Sequence, residues 1–195
     1  MKKIFIALFF ALPIIAASQK TDKKLLAKLT ETIKGFNGDI GIYVKNLRTG
    51  KTVSINADTL FPTASIVKVP ILLGIMDKIE KGELKYDLQL TYIDSLLYEG
   101  SDILGSFKND EKILLKKVIM LMLTTSDNTA SLWLQSLAGK GTRINEILDS
   151  LGLVSTRVNS RTPGREANRT QYGWGQTTPF EMASIFEKIY KKEII

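Results

Sequence analysis

A serine and a lysine three positions apart, Ser65 and Lys68, form the pair in this sequence best suited to nucleophilic catalysis. They stand in the stretch PTASIVKVPILLGIMDKIEKG, residues 62–82, which is otherwise largely apolar. On a helix this spacing puts both side chains on one face, one turn apart. Because a lysine is costly to bury without a partner, Lys68 is expected either to point into solvent or to act on the Ser65 hydroxyl.

Lys68 has surroundings that favour a neutral amine. The positive end of a helix dipole and apolar neighbours both disfavour an ammonium group, so they lower the pKa of the lysine. A neutral lysine can accept a proton from the serine, which is the Ser-Lys variant of nucleophilic catalysis. The spacing S-x-x-K arises by chance about once in a chain of this size, so the motif alone is a weak indication.

A second set of polar residues, Ser126, Asp127 and Asn128, lies between two strongly helical segments. These three residue types are preferred helix N-caps, so the pattern is typical of a helix start. The functional alternative is that Ser126 relays a proton to a leaving group while Asn128 binds a substrate amide. Both interpretations stay open for this motif taken by itself.

Two absences from the composition exclude several kinds of site. The chain has no cysteine, and therefore no disulfide, thiol nucleophile or thiolate metal site. It has no histidine, which excludes a Ser-His-Asp triad and the usual imidazole zinc centres. A hydrolase with this composition must use lysine, a carboxylate or tyrosine as its general base. The net charge of +7 comes from scattered basic residues, so a nucleic-acid role is weakly supported.

The first eighteen residues, MKKIFIALFFALPIIAAS, have the layout of a secretory signal peptide. Two lysines precede an apolar stretch that ends in small residues, and the stretch is short for a spanning helix. We expect cleavage rather than a membrane anchor. The mature chain is then expected in the periplasm or outside the cell.

Hydrophobic periodicity predicts a mainly helical chain with one early hairpin. The stretches GDIGIYVKNL and TVSINAD, which lie on either side of RTGK, predict a β-hairpin that turns near Gly50, with Ile40, Ile42 and Val44 alternating in its first strand. No clear strand is predicted after the helices. Residues 152–178 lack periodicity, which predicts a functional loop or one ordered by its own contacts. The predicted helices cover 21–36, 66–81, 111–124, a segment from TSDN to Gly139, 142–151, and a last one from Pro179, capped by Thr178.

Taken together, the two motifs carry a family resemblance. FPTASIVKVPILL, followed some sixty residues later by LMLTTSDNTASLWL, resembles the penicillin-recognising serine hydrolases, and most closely the class A β-lactamases. The segment GWGQTTPFEMASIFEKI is similar to the helix that follows the active-site loop of that family. The resemblance covers nearly the whole mature chain.

The resemblance implies a role for each residue of the two motifs. Ser65 would be the acylated nucleophile, its backbone N–H half of the oxyanion hole, and Lys68 its proton acceptor. Ser126 would pass the proton to the β-lactam nitrogen, and Asn128 would hydrogen-bond the substrate amide and Lys68. Asp127 would be structural, and Tyr98 lies where the family often places an aromatic residue at the cleft mouth.

The deacylating glutamate of the family has no counterpart in this sequence. The E-x-x-L-N stretch is absent, and its glutamate position falls on Thr162. The nearest acid is Glu166, which could substitute, although its arginine neighbours equally suggest a solvated ion pair. Without a base, acylation could be followed by slow turnover.

The third motif of the family, K-T-G on an inner strand, is also absent. That strand would bind the substrate carboxylate and donate the second oxyanion N–H, and loss of one such donor costs roughly a hundredfold in rate. The sequence is therefore expected to come from a truncated reading frame or a fragment, without its C-terminal strands.

These expectations combine into one hypothesis, an α+β fold of the β-lactamase/transpeptidase type. Its parts would be a signal peptide at 1–18, the helix and hairpin of an antiparallel sheet domain at 19–60, and a mainly helical domain at 61–195. The expected activity is β-lactam hydrolysis; the alternatives are a D-Ala-D-Ala carboxypeptidase or esterase, or a silent binder. We expect a monomer that takes a small β-lactam or a peptidoglycan peptide, with no nucleic acid, metal or cofactor.

Two aromatic residues of segment 152–178, Trp174 and Tyr172, are expected to be packing anchors.

Overall fold

The computed structural model describes residues 20–98, 100 and 102–194, so the predicted signal peptide lies outside the described residues. No helix in this described part is long and apolar enough to cross a membrane. The elements in chain order are α1 (Lys23–Thr32), β1 (Ile42–Lys45), β2 (Thr52–Ile55), β3 (Phe61–Pro62), α2 (Lys68–Glu80), β4 (Gln89–Thr91), β5 (Lys112–Leu114), α3 (Leu115–Thr124), α4 (Asn128–Leu137), α5 (Lys140–Ser150), β6 (Arg157–Val158), α6 (Glu166–Tyr172), β7 (Gly175–Thr177) and α7 (Pro179–Tyr190).

The N-terminal part is the predicted hairpin held between two helices. Strands β1 and β2 pair antiparallel, with Ile42 opposite Ile55, and α1 and α7 pack against them. Asp22 caps α1 by accepting the N–H of Leu25 at 3.1 Å, and its own N–H donates to the carbonyl of Thr52. These contacts tie the start of the described chain to the sheet.

The helical part has one continuous apolar core. Helix α2 packs on α4 and α5, and α3 packs on α4. The side chains of α2 that the periodicity places on one face are buried or half-buried, as an amphipathic helix requires. The fully buried core includes Val67, Ile71, Ile75, Leu115, Val118, Leu134, Ile144, Leu148 and Ile185.

Two predictions for the secondary structure after α2 are wrong. The helix predicted over 111–124 begins only at Leu115, because residues 112–114 form β5 and pair with β4, with Ile113 opposite Leu90. Strand pairing outweighs helix propensity there. The expectation of no strand after the helices also fails, since β6 and β7 pair with each other and β7 pairs with β3.

The aperiodic segment 152–178 is called here the cleft loop. It is ordered by its own contacts, which was one of the two expectations for this segment. It contains β6, α6 and β7. Glu181, at the start of α7, accepts the N–H of Ser155 at 2.9 Å and that of Thr156 at 2.6 Å. Thr178 caps α7 as predicted, accepting the N–H of Glu181 at 3.1 Å. Both ends of the loop are thereby fixed to one helix start.

Candidate active site

Ser65 and Lys68 lie on two different kinds of helix. Residues Ala64–Val67 form a 3₁₀ turn, and the α-helix begins only at Lys68. The predicted single helix over 66–81 is therefore wrong at its N-terminal end. In a 3₁₀ turn, side chains three residues apart are eclipsed, so the tighter turn brings the serine and the lysine closer together.

The 3₁₀ turn is held against the cleft loop at Gly175. The N–H of Thr63 donates to the carbonyl of Gly175 at 3.0 Å. A Cβ atom at this glycine would lie 2.7 Å from the Val67 side chain and 2.8 Å from the carbonyl of Arg157. Only glycine permits this approach. Ala64 has a φ of 44°, a left-handed conformation that non-glycine residues adopt at an energetic cost and that concentrates at functional sites.

The turn before α4 both caps the helix and places polar side chains at the site, the two roles that the sequence left open for Ser126, Asp127 and Asn128. Asp127 is the N-cap, accepting the N–H of Ala130 at 2.7 Å and, through its other oxygen, that of Leu104 at 3.0 Å. Ser126 precedes it with a φ of 58°, again left-handed. The capping turn therefore also orients Ser126 and Asn128 toward Lys68.

The four predicted site residues meet around the amine of Lys68. Its Nζ lies 3.3 Å from the Ser65 Oγ, 2.9 Å from the Ser126 Oγ and 3.0 Å from the Asn128 Oδ1. The Ser126 hydroxyl also donates to the Ser65 Oγ at 3.0 Å. Both serines are exposed, whereas Lys68 is only 4% exposed, so a substrate can reach the hydroxyls without displacing the amine.

This arrangement satisfies either protonation state of Lys68. As an ammonium, the group has three N–H donors for three oxygen acceptors. As a neutral amine, it has two N–H groups for Asn128 and Ser126, and its lone pair can accept the Ser65 O–H. The same contacts therefore persist when a proton moves between Ser65 and Lys68.

Burial lowers the pKa of Lys68 from the ordinary lysine value of 10.5, because the charged form loses its hydration. Negative charge on Asp102 and Asp127 acts in the opposite direction, and the net change is downward. Lys68 is therefore neutral at a lower pH than an exposed lysine, as a general base requires.

The Ser65 hydroxyl opens into a cleft of about 450 Å³. Tyr98 and Trp174 stand in its walls with their rings edge to face, 5.2 Å between centroids. Trp174 also packs against the apolar core, as a packing anchor does. The described residues that line this cleft are Pro62, Ala64, Ser65, Lys68, Tyr98, Asn128, Gln171, Tyr172, Gly173 and Trp174, and none of them carries a carboxylate.

Neither candidate position for a deacylating glutamate lies among these lining residues. Thr162 is buried, donates its hydroxyl to the carbonyl of Ser160, and packs against Gly141 at the start of α5. Glu166 is exposed at the start of α6, where it accepts the N–H of Gly164 at 3.1 Å. It borders a separate depression together with Arg161 and Arg169. The geometry thus disfavours Glu166 as a base for Ser65.

One carboxylate close to this site, that of Asp102, has no role predicted from the sequence. Asp102 accepts hydrogen bonds from α4 although it lies 26 residues before Asn128. A long-range cap of this kind has no local sequence pattern, so no motif could have indicated it. Among the described residues, no cluster of acidic side chains is arranged to hold a metal ion.

A family model described as the β-lactamase enzyme family matches residues 24–195. The chain belongs to this family. The curated β-lactamase VEB-1 of Pseudomonas aeruginosa is 26% identical over 194 residues, which is 97% of this chain and 63% of VEB-1. The chain thus spans less than two thirds of that relative.

Solved structures agree with this family membership. PBP-A, whose structure has been solved, is 25% identical in sequence to this chain. The two structures superpose with a TM-score of 0.79, and the match covers 91% of this chain and 65% of PBP-A. A variant of PBP-A, solved as an acyl-enzyme complex with penicillin G, has the same TM-score of 0.79 at 26% identity and the same coverage. The fold is accordingly α+β and of the β-lactamase type.

Proposed function

We propose that the protein hydrolyses β-lactams through an acyl-enzyme on Ser65. The observation that carries the proposal is the buried Lys68 amine within hydrogen-bonding reach of both the Ser65 and Ser126 hydroxyls. Membership of the β-lactamase family supports this substrate class. The acyl-enzyme of the PBP-A variant with penicillin G supports the covalent route in a protein of similar fold.

Acylation begins with the Ser65 hydroxyl. Its oxygen attacks the β-lactam carbonyl carbon while its proton moves to the lone pair of Lys68, giving a tetrahedral oxyanion and an ammonium. The Asn128 amide oxygen and the Ser126 oxygen accept the remaining N–H groups of Lys68. They keep the lone pair directed at Ser65.

Ring opening uses the contact between Lys68 and Ser126. When the oxyanion collapses, the carbon–nitrogen bond breaks and the nitrogen needs a proton. The Ser126 hydroxyl gives its proton to that nitrogen and takes one from the ammonium of Lys68 at 2.9 Å. The products of this step are an ester on Ser65, an opened ring and a neutral Lys68.

Hydrolysis of the ester requires a base for the attacking water. Lys68, neutral again after ring opening, is a basic amine with a free lone pair beside the ester, since its Nζ lies 3.3 Å from the Ser65 Oγ. Water attacks the ester carbonyl, its proton passes to Lys68, and the ester bond breaks. Ser65 leaves as the hydroxyl after recovering that proton. Because no carboxylate lines the described cleft, this step is expected to be slower than acylation.

We also propose that the mature protein is exported and acts as a monomer on a small-molecule substrate. The layout of residues 1–18 supports export, because a basic start, an apolar middle and small residues at the end are typical of a secretory signal. The cleft of about 450 Å³ is of a size that holds a small molecule.

The test combines turnover and covalent capture. Purified protein is mixed with a chromogenic cephalosporin, and the same sample is analysed by intact mass after exposure to penicillin G. An adduct on Ser65, followed by return of the unmodified mass and sustained turnover, is the expected result. If Ser65 acquires no adduct under conditions in which the protein is folded, the proposal is wrong.

A further inference from the structure

Two carboxylates, those of Asp102 and Asp127, accept hydrogen bonds from the free backbone N–H groups at the start of α4. Asp102 Oδ2 accepts the N–H of Asn128 at 2.9 Å and that of Thr129 at 2.8 Å. Asp127 accepts the next one, from Ala130. Helix N-termini favour negative charge because their N–H groups are unpaired and the helix dipole is positive there.

Asp102 belongs to a different part of the chain from the helix that it caps. It lies in the segment between β4 and β5, and the Asp127 carboxylate in turn binds the N–H of Leu104 in that segment. The Thr129 hydroxyl, fully buried, donates to Asp102 at 3.2 Å and accepts the N–H of Tyr98 at 3.0 Å. The segment and the helix start are therefore locked together from both sides.

The same helix start holds a substrate-facing group of the site. Asn128, whose backbone N–H is bound by Asp102, presents its side-chain oxygen to Lys68 at 3.0 Å. Among the described residues, neither Asp102 nor Asp127 forms an ion pair with a lysine or an arginine. The charge of Asp102 is thus not neutralised by a direct partner there, and its field reaches Lys68.

We propose that Asp102 is a positioning residue for the Ser65 site, one that fixes Asn128 against Lys68 and supplies negative charge facing the lysine. Capping requires only an acceptor oxygen, which an asparagine also has, whereas the charge requires the carboxylate. The titratable groups near Lys68 are Asp102 and Asp127 from the α4 side and Tyr98 and Tyr172 in the cleft walls. Asp102 raises the pKa of Lys68 and so limits the decrease that burial causes.

Two substitutions separate the charge from the hydrogen bonds. Asp102→Asn keeps an acceptor and removes the charge, whereas Asp102→Ala removes both. Asp94→Asn is the matched control, because Asp94 is an exposed carboxylate of the same segment that accepts a hydrogen bond from Asn109. The readouts are the pKa of Lys68, from NMR of lysine labelled with ¹³C at the ε position, and the pH profile of Ser65 acylation by a fluorescent penicillin. Lys68→Arg assigns the NMR signal.

We expect Asp102→Asn to lower the pKa of Lys68 and to move the acid limb of the acylation profile to lower pH by about half a unit or more. Asp102→Ala should in addition reduce the acylation rate about tenfold at every pH, because Asn128 is no longer held. The control should match the parent protein in both readouts.

Unchanged values of both the Lys68 pKa and the acid limb in Asp102→Asn would show that Asp102 is only a structural cap, and would overturn the inference. The inference rests on the proposed function for its kinetic part, but the NMR titration does not require acylation. A parent protein that is never acylated, with a Lys68 pKa that still falls in Asp102→Asn, would therefore refute the proposed function and support the electrostatic role.

Discussion

The amine of Lys68 lies 2.9 Å from the hydroxyl of Ser126, although 58 residues separate them in the chain. This contact joins the two motifs into one site, because the Ser126 hydroxyl donates in turn to Ser65. Each motif alone has an ordinary explanation, as a chance spacing or a helix cap. Their contact around a buried amine gives the site its chemical meaning.

Replacing Ser126 should slow acylation while leaving the fold intact. Ser126→Ala removes the hydroxyl that returns the proton to the leaving nitrogen, and loss of such a proton transfer costs about 10²–10⁴-fold in rate. The measurement is the rate of covalent labelling of Ser65 by a fluorescent penicillin. Ser136→Ala, at an exposed position of α4, is the control and should label at the parent rate. Equal rates for the two variants would remove Ser126 from the mechanism.

Acylation should accelerate as pH rises through the pKa of Lys68, because only the neutral amine accepts the serine proton. Burial places that pKa below 10.5, so the midpoint of the rise lies at lower pH than the titration of an exposed lysine. Since the unfolded chain holds this proton more tightly, folding stability also rises with pH between the lowered pKa and 10.5. Stopped-flow acylation from about pH 5 to about pH 10 checks this, with spontaneous β-lactam hydrolysis subtracted. A rate that falls across this range contradicts it.

Glu166 should be dispensable for hydrolysis of the acyl-enzyme. It borders a depression other than the cleft and is bonded to the N–H of Gly164, so it is not placed to activate water at Ser65. Glu166→Gln is expected to leave the deacylation rate within about twofold of the parent. Intact-mass measurement of adduct decay after removal of penicillin G gives the rate. An adduct that lives tenfold longer in Glu166→Gln than in the parent protein would identify Glu166 as the general base for deacylation.

Gly175 should tolerate no side chain. Alanine there would place Cβ 2.8 Å from the backbone carbonyl of Arg157, which cannot move cheaply, so Gly175→Ala should destabilise the protein by about 1–3 kcal/mol. Acylation should also slow, since the displaced 3₁₀ turn carries Ser65. Gly105→Ala is the comparison, because its Cβ would meet only a Leu97 methyl at 3.2 Å. Urea unfolding of both variants is the measurement, and equal midpoints would argue against the close approach.

The ion pair between Lys45 and Glu187 should stabilise the hairpin against α7. Hydrogen bonds from Lys191 and Lys45 lower the pKa of Glu187 below its ordinary 4.5, and its side chain is only 16% exposed. Its stabilisation is thus present above that value and is lost as pH falls through the lowered pKa.

Glu187→Gln should therefore cost about 1 kcal/mol near neutral pH and progressively less in acid. Urea unfolding at several pH values measures this. Glu83→Gln serves as the control, since Glu83 is exposed and forms an ion pair with Lys78. A Glu187→Gln deficit that stays the same in acid would contradict the assignment.

Local pattern was enough to predict much of this structure. The alternation before Gly50, the apolar stripe of α2 and the Thr178 cap each depend on residues close in sequence, and each appears in the structure. The strand at 112–114 could not be predicted locally, because its partner, β4, lies about twenty residues earlier and its own residue types favour a helix. The 3₁₀ turn at Ser65 was missed because its contact with Gly175 comes from the far end of the chain.

The sequence by itself determined the chemistry that is open to this protein. With no histidine and no cysteine, a serine nucleophile must depend on a lysine, a carboxylate or a tyrosine, and the two motifs supply a serine–lysine pair with its companions. Only the tertiary structure decided which groups meet. It brought Ser126 and Asn128 to Lys68, directed the carboxylate of Asp102 to the start of α4, and left Glu166 outside the cleft lining. The reason is that residue type fixes what a group can donate or accept, whereas burial and distance, which set its pKa and its partner, arise only when remote segments pack together.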